Sequence, residues 1–276
     1  MSMLLVMVAA IGAPSRHAWP VTIAPPPLPP ALALPPVLAQ PAGSSGGLWL
    51  PTFDDEFDGP GVDASKWSNG FGWGDSAANF AAWCDPSANV VERGVLVQRV
   101  DKVARGDKAY SGACLHTKGA FSQLYGYWEA RIQVPSGRGL HSAFWGKPAN
   151  EAWPPELDVE EVGGARPDTV IMSVHWRDPS GHRLSNQRWP GLTPSYHTFG
   201  AEWSPDGTVF YVDGEERARL TEGAAEMAGE GPFYALLDLQ VGLAGAVQAD
   251  DTTAFPAYQL VDYVRMWQRP FGAVTP

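Results

Sequence analysis

The sequence predicts an all-β protein, built as a two-sheet β-sandwich of the jelly-roll type. From Leu48 onward, short runs of alternating apolar and polar residues are separated by Gly, Pro, Asn and Asp, which is typical of strands joined by turns. No stretch with helical apolar spacing is longer than residues 222–228. Because many strands in one domain must each bury a face, we expect them to pack as two sheets.

The clearest strand is predicted at residues 127–134, where alternate residues from Trp128 to Val134 are apolar and would share one face. An Asp213-Gly214 pair between two apolar runs predicts a two-residue hairpin turn. No internal repeat and no further domain boundary is found after residue 47. Other strands are predicted at residues 141–146, 169–176, 197–203, 208–212, 233–242 and 258–268.

The first 47 residues differ in composition from the rest of the chain. Residues 1–13 form an apolar run that is too short to span a bilayer and is similar to the h-region of a secretory signal. Residues 14–47 are rich in Pro and Ala, which predicts an extended, disordered linker. A single domain would follow at residues 48–270, with a tail at 271–276. We expect a secreted, extracellular or cell-wall-associated protein with no stable membrane span.

The charge balance limits the partners. The chain has 19 basic and 30 acidic residues and a net charge of -11, which argues against nucleic acid or an anionic membrane. No glycine-rich phosphate loop follows a strand and opens a helix, which argues against a nucleotide. The 12 Trp residues provide flat apolar surfaces on which a sugar ring can lie, although most of them must serve the core.

Two cysteines, Cys84 and Cys114, leave two interpretations open. In an exported protein they can form one disulfide, and otherwise they are two buried thiols. The sequence contains no CxxC pair or Cys/His cluster, so it does not indicate a zinc site.

The segment ELDVEEVGG, residues 156–164, carries the candidate catalytic groups. Alternation along a strand places Glu156 and Asp158 on one face. A regular strand would then send Glu161 into the core, where an unpaired charge is costly. A one-residue bulge at Glu160 instead brings Glu161 to the face of the other two acids, which gives the pattern ExDxxE. The apolar residues packed beneath that face would be Leu157, Val159 and Val162.

Three acids on one face raise each other's pKa, so one carboxyl can stay protonated while another is ionised. That combination suits glycoside hydrolysis. Inward-leaning Glu side chains at the two ends of the segment could approach the separation of about 5 to 5.5 Å found in retaining enzymes. On these residues alone, a solvated acidic strand and a calcium site remain open as alternatives.

Several separated motifs make the chain similar to glycoside hydrolase family 16, and most similar to its laminarinase-like (endo-β-1,3-glucanase) branch. The resemblance covers residues 53–268. The motifs are, in order, FDDEFDG (53–59), SKW (65–67), YGYWEARIQVPSGRG (125–139), AFW (143–145), WPPELDVEEVGG (153–164), HW (175–176), AEWSPDGTVFYVDG (201–214) and LVDYVRMWQ (260–268).

The resemblance implies a concanavalin A-like jelly roll with a concave substrate cleft and a retaining double displacement. On the matching positions, Glu156 would be the nucleophile, Glu161 the general acid/base, and Asp158 the residue that positions the nucleophile. The family also has an unbulged ExDxE branch, in which Glu160 would be the acid/base. The residue after the second Glu is apolar in that branch, whereas here it is Glu161. The family pattern and the burial pattern therefore both favour Glu161.

The resemblance also implies substrate and metal residues. The implied substrate-binding residues are Trp145, Trp153, His175, Arg131 and Asp238. Some family members bind a structural calcium, through a backbone carbonyl matching Gly94 and a carboxylate matching Asp262. No cofactor is required for the reaction.

The chain departs from laminarinases at positions that hold substrate. His141 and Ser142 stand where Trp-Pro is usual, Asp238 replaces an Asn, and residues 242–247 replace a Gly-Gly and Trp. We expect a monomeric, endo-acting retaining β-glucanase whose polysaccharide substrate is β-1,3-glucan (laminarin-like), with mixed-linkage β-1,3-1,4-glucan next. A transglycosylase, a hydrolase of another polysaccharide such as galactan, and a catalytically silent carbohydrate-binding sandwich remain open.

Overall fold

The chain forms two largely antiparallel sheets, and the predicted all-β class is confirmed. The computed structural model describes residues 40–44 and 46–270. The predicted leader at residues 1–13, the linker up to residue 39 and the tail at 271–276 lie outside the described residues. The strands are β1 (Leu50–Asp55), β2 (Ser68–Asn69), β3 (Ala82–Cys84), β4 (Asn89–Glu92), β5 (Val95–Val100), β6 (Tyr110–His116), β7 (Gly126–Gln133), β8 (Leu140–Pro148), β9 (Glu156–Gly163), β10 (Thr169–Asp178), β11 (Gly181–Pro190), β12 (His197–Ser204), β13 (Gly207–Val212), β14 (Glu215–Leu220), β15 (Phe233–Val241) and β16 (Ala257–Gln268).

The sandwich has the connectivity of a jelly roll. One sheet, called the outer sheet, has the order β14-β13-β12-β7-β16-β5-β4, with β1 on β16. The other, called the cleft sheet, has the order β11-β10-β9-β8-β15-β6-β2, and β3 pairs with β6. Many neighbours within a sheet are far apart in sequence, so the chain passes repeatedly from one sheet to the other.

The predicted alternation and the predicted hairpin are both present. The apolar side chains from Trp128 to Val134 belong to the main core between the sheets. Asp213 and Gly214 have φ values of 53° and 78°, the two positive values that a type I′ turn requires, and they join β13 to β14. Sequence reasoning did not find β11 or the six strands before β7. β11 has no apolar alternation because it is an edge strand that is largely exposed along its length.

The predicted helical segment forms one short helix, α1 (Ala224–Gly229). It buries Met227 against the main core. None of the helices in the described part of the chain has the length and apolarity that crossing a bilayer requires.

Cys84 and Cys114 form a disulfide, which decides the question that the sequence left open. The bond joins β3 to β6 across a separation of 30 residues, and closing such a loop stabilises a fold by about 3.6 kcal/mol through loop entropy. Both cysteines belong to a cluster with Phe71 and Trp145. Because β3 directly follows residues 70–81, the disulfide fixes the end of that segment to β6 in the cleft sheet.

Residues 40–44, which the sequence assigned to the linker, contact the outer sheet. The Ala42 N–H donates to Glu129 Oε2 at 3.0 Å, and the Tyr127 hydroxyl donates to the Ala42 carbonyl. Glu129 is buried and also accepts a hydrogen bond from the Tyr263 hydroxyl at 2.9 Å. The packed domain thus begins several residues earlier than predicted.

Candidate active site

A cleft crosses the face of the cleft sheet that points away from the core. Strand register aligns its floor in three rows that run from β11 toward β15. The rows are Leu184-His175-Glu156, Asn186-Ser173-Asp158-Trp145 and Arg188-Ile171-Glu161-Ala143-Asp238. All of these side chains line the cleft. The three acids predicted to be catalytic therefore stand in successive rows on one face.

A β-bulge in β9 brings the third acid to this face. Against β8, Glu160 pairs with Phe144 and Asp158 pairs with Trp145, which leaves Val159 as the extra residue. The ExDxxE arrangement is therefore present, with the unpaired residue one position earlier than predicted. The three apolar residues expected beneath the acids belong to the main core: Leu157, Val159 and Val162.

Glu156 and Asp158 are neighbouring carboxyls on the cleft floor. They lie in neighbouring rows of the floor, opposite His175 and Ser173, so the charge on one affects the pKa of the other. Burial raises the pKa of Glu156 to about 8, and the Asp158 charge adds to the increase. Burial and the charge of Glu161 raise the pKa of Asp158 well above its usual range. Trp153 Nε1 donates to Glu156 Oε2 at 2.9 Å and favours the ionised form of Glu156. Two neighbouring carboxyls with raised pKa values can hold one proton between them at neutral pH, and the Trp153 hydrogen bond favours Glu156 as the ionised one.

Glu161 lies one row further along the cleft. Burial raises its pKa, while His175, a hydrogen bond from Ser173 and the charge of Arg188 lower it. His141 Nε2 lies 3.7 Å from Glu161 Oε1. Burial lowers the pKa of His141 to about 4, so this imidazole is neutral at neutral pH. A carboxyl with a raised pKa can hold a proton at neutral pH and donate it to a leaving group.

Glu160, the alternative acid/base on sequence grounds, is not among the residues that line the cleft. Ser142 Oγ donates to Glu160 Oε1 at 2.8 Å, and Ser142 pairs in the sheet with Val162 and Leu239, which are both core residues. The Glu160 carboxyl therefore lies beneath the sheet, and its Oε2 has no hydrogen-bond partner among the described residues. From the sequence, we expect the bulge to avoid burying an acid. Instead, the bulge buries Glu160 in place of Glu161.

The buried Glu160 predicts a pH effect on stability. Burial raises its pKa to about 8, whereas the unfolded chain has an ordinary carboxyl, so between these two pKa values the folded protein binds more protons. The free energy of unfolding must then fall as pH rises through that range. From about pH 5 to pH 9, urea unfolding should show wild type losing roughly 4 kcal/mol more than Glu160→Gln. Parallel curves for the two proteins would contradict a neutral, buried Glu160.

Aromatic residues form the rest of the cleft floor. Trp145 Nε1 donates to Asp238 Oδ2 at 2.8 Å, and burial raises the pKa of Asp238 to about 8. Trp153 is 50% exposed. Sequence reasoning missed Trp73, which lines the cleft, is 45% exposed and lies 6.0 Å from Trp145 between ring centroids. The sequence signal that could have identified Trp73 is its position between two glycines, which indicates a turn rather than a buried strand. Trp73 and Trp153 offer exposed rings on which sugars could stack.

His175 connects the acid pair to the edge strand β11. Its Nε2 lies 3.2 Å from Asp158 Oδ2 and 3.7 Å from Glu156 Oε1, and its Nδ1 lies 2.9 Å from His182 Nε2. The two imidazoles are stacked 5.1 Å apart, and the Trp153 ring is 5.0 Å from His182. His182 was missed because β11 was not recognised as a strand. It is the second member of a chain of contacts from the edge of the sheet to Asp158.

Removing the His182 ring should impair the reaction through His175. In His182→Ala, His175 Nδ1 loses its partner, and we expect kcat/KM to fall about fivefold, the effect of one hydrogen bond. His182→Gln should recover most of the loss, because its amide can still bond to Nδ1. The measurement is kcat, KM and the pH–rate profile of the three proteins on laminarin. An unchanged profile in His182→Ala, with no recovery in His182→Gln, would show that His182 only packs.

The predicted substrate residue Arg131 lies outside the cleft, which corrects the sequence interpretation. Its strand, β7, belongs to the outer sheet. Arg131 Nη1 pairs with Asp262 Oδ2 at 2.6 Å, and the guanidinium lies 4.6 Å from the Tyr196 ring. The polar face of β7 was identified correctly, but alternation alone cannot say which sheet a strand joins.

The predicted calcium ligands lie on chain segments that are neighbours at the outer sheet. Gly94 precedes β5, and Asp262 lies in β16, which pairs with β5. Arg131 already supplies a positive charge to the Asp262 carboxylate, and calcium binding there remains a prediction. Among the described residues, one group of three side chains places its ligand atoms within 4.8 Å of one another: Glu156, Asp158 and His175. Contacts within this group account for that spacing, and we assign no metal to it.

The chain is similar in sequence and fold to known glycosidases. Residues 78–265 match the family model described as "Glycosyl hydrolases family 16". The chain is 32% identical over 245 residues to a beta-glucanase of Rhodothermus marinus, with 80% of this chain and 85% of that protein covered. It is 33% identical over 196 residues to an endo-1,3-1,4-beta-glycanase of Rhizobium meliloti, which covers 66% of this chain but 41% of that protein.

A solved structure gives the same result for the fold. The endo-beta-1,3-glucanase from Pyrococcus furiosus superposes with a TM-score of 0.67 at 31% sequence identity, covering 80% of this chain and 94% of that one. The similarity therefore extends over most of the described domain, including the strand that carries the three acids.

Proposed function

Because the chain belongs to glycosyl hydrolase family 16 and is an endo-β-glucan hydrolase, we propose that it cleaves β-1,3-glucan with retention of configuration. The observation that carries this proposal is the placement of Glu156, Asp158 and Glu161 in successive rows of one cleft floor. The burial of Glu160 beneath the sheet supports Glu161 as the acid/base.

The first step would use both glutamates. Glu156 attacks the anomeric carbon, while protonated Glu161 donates its proton to the glycosidic oxygen. The bond from the anomeric carbon to that oxygen breaks, and a covalent bond to Glu156 forms. Asp158, the neighbour of Glu156 on the cleft floor, would hold the proton that the two carboxyls share, which limits the charge repulsion on the nucleophile and helps to orient it.

The second step would release the product. Ionised Glu161 takes a proton from water, and the resulting oxygen attacks the anomeric carbon and displaces Glu156. Two inversions give net retention. If a sugar hydroxyl replaces water at this step, the same groups carry out transglycosylation.

The β-1,3 linkage is supported by the relatives. The Pyrococcus protein is an endo-beta-1,3-glucanase, whereas the Rhizobium relative is an endo-1,3-1,4-beta-glycanase. Mixed-linkage β-glucan is therefore the second candidate. Secretion is part of the proposal as well, because the disulfide suits an oxidising compartment and residues 1–13 are similar to a signal h-region.

Product analysis on several polysaccharides tests the proposal. Reducing-sugar release and product sizes would be measured on laminarin, lichenan, agarose and carrageenan, with NMR of the first-formed anomer. We expect β-anomeric oligosaccharides from laminarin in the early phase. Products longer than the substrate would favour transglycosylation, α-anomers would contradict the double displacement, and binding without turnover would favour the carbohydrate-binding alternative.

A further inference from the structure

Most basic side chains in the described part of the chain are neutralised by acids. Of its 18 Lys and Arg residues, 13 have a carboxylate oxygen within ion-pair distance. Five described residues have no such ion pair: Lys102, Lys108, Arg166, Arg177 and Arg188. In a protein with more acidic than basic residues, most Lys and Arg side chains can find a carboxylate partner. The positions of those without one therefore indicate where a positive charge is left for a ligand.

Three of these five residues border one flank of the cleft. Arg166 and Arg188 line the cleft, and Arg177 Nη2 donates to the carbonyl of Trp153, another cleft residue, at 3.3 Å. Lys108, by contrast, is held by the carbonyl oxygens of residues 77 and 80. The cations without acidic partners are therefore concentrated where the polysaccharide would lie.

Arg166 and Arg188 both lie near the start of β10. Arg188 lies opposite Ile171 on β10, which lies opposite Glu161 on β9, so it belongs to the Glu161 row. Arg166 occupies the turn between β9 and β10, where its N–H donates to the Gly163 carbonyl at 2.8 Å. Both side chains are exposed, so their guanidinium groups are available to a ligand.

We propose that Arg166 and Arg188 bind an acidic substituent, a carboxylate or a sulfate ester, on the sugar held between Glu161 and β11. The inference rests on the proposed β-glucanase function and narrows its substrate to an anionic β-glucan. A guanidinium presents paired N–H donors that match the two oxygens of a carboxylate or sulfate, and such charge-assisted bonds are stronger than bonds to sugar hydroxyls. The positive charges of the two arginines also reduce the repulsion that an anion bound at this flank would experience from the acids on the cleft floor.

A different role for Arg188 makes a different prediction. Its charge lowers the pKa of Glu161, and if this were its only function, removing it would change turnover of neutral and acidic substrates by the same factor. An anion-binding role instead changes the ratio of the two activities. The ratio is therefore the quantity to measure.

The experiment compares three probes of equal chain length: laminarin, carboxymethylated laminarin and sulfated laminarin. At low ionic strength we expect wild type to favour at least one acidic probe over laminarin by about tenfold in kcat/KM. The Arg166→Gln/Arg188→Gln protein should lose this preference, and sodium chloride should weaken it in wild type. Whichever acidic probe is preferred identifies the substituent. Arg183→Gln is the control, because Arg183 lies on the same strand, β11, but is not among the cleft-lining residues and is paired with Asp178, so its ratio should match wild type.

Retardation of the same proteins in gels containing each probe gives a readout that does not depend on turnover. Equal retardation of wild type by neutral and acidic probes, or an unchanged ratio in the double variant, would overturn the anionic substrate. Failure to cleave any probe, with selective retardation by an acidic one, would instead overturn the proposed hydrolase function and leave the anion site standing.

Discussion

Glu156→Gln is expected to lower kcat on laminarin by about 10⁴-fold or more, because an amide cannot form the covalent glycosyl intermediate. The substitution is nearly isosteric, and its side-chain oxygen can still accept the hydrogen bond that Trp153 Nε1 donates at 2.9 Å. Substrate affinity and thermal stability should therefore change little. The measurements are reducing-sugar release, a binding titration with laminarin oligosaccharides, and the midpoint of thermal unfolding.

The matched control is Glu160→Gln, the same change on the same strand. Glu160 is buried beneath the sheet and bonded to Ser142, so its substitution should leave kcat at pH 6 within about threefold of wild type, the small effect expected of a group outside the reaction. If Glu160→Gln were as inactive as Glu156→Gln, the acid beneath the sheet would be catalytic. The unbulged alternative would then be correct and the proposed role of Glu161 wrong.

The shared face of the three acids could be predicted because regular alternation along β9 conflicts with the cost of burying a charged residue. A regular strand would have buried Glu161, and only an extra residue lets two Glu and one Asp share a face above Leu157 and Val162. That conflict can be read from one segment, since it depends on neighbours in sequence. The all-β class was predictable for the same reason: alternation and turn residues are local signals.

The remaining features depend on contacts between distant segments. The burial of Glu160 beneath the sheet could not be predicted, because the hydroxyl that donates to its carboxyl belongs to Ser142 on β8. The position of Arg131 required knowing which sheet β7 joins. His182 and Arg188 lie on β11, whose residues are exposed and carry no apolar alternation, so neither was a candidate until the strand was seen beside β10.

Glu161→Ala should separate the acid role from the base role by the choice of substrate. On laminarin, whose leaving group needs protonation, we expect kcat/KM to fall by roughly 10³-fold. An aryl β-glycoside with an acidic phenol as leaving group should lose far less in kcat/KM, because its departure needs no proton. The raised pKa of Glu161, caused by burial, also predicts that the alkaline limb of the wild-type pH–rate profile disappears in the variant.

Azide provides the decisive measurement on the same protein. It needs no general base, so it should accelerate turnover of the aryl glycoside by Glu161→Ala and give a β-glycosyl azide, the product of attack on a Glu156-linked intermediate. In Glu156→Ala, the small anion would instead occupy the vacated nucleophile position and give the α-azide. The same β-azide from Glu160→Ala, with no rescue of Glu161→Ala, would place the acid/base beneath the sheet. Because the two cleft glutamates lie on opposite sides of the reacting carbon in this mechanism, product stereochemistry assigns each role without relying on the size of the rate loss.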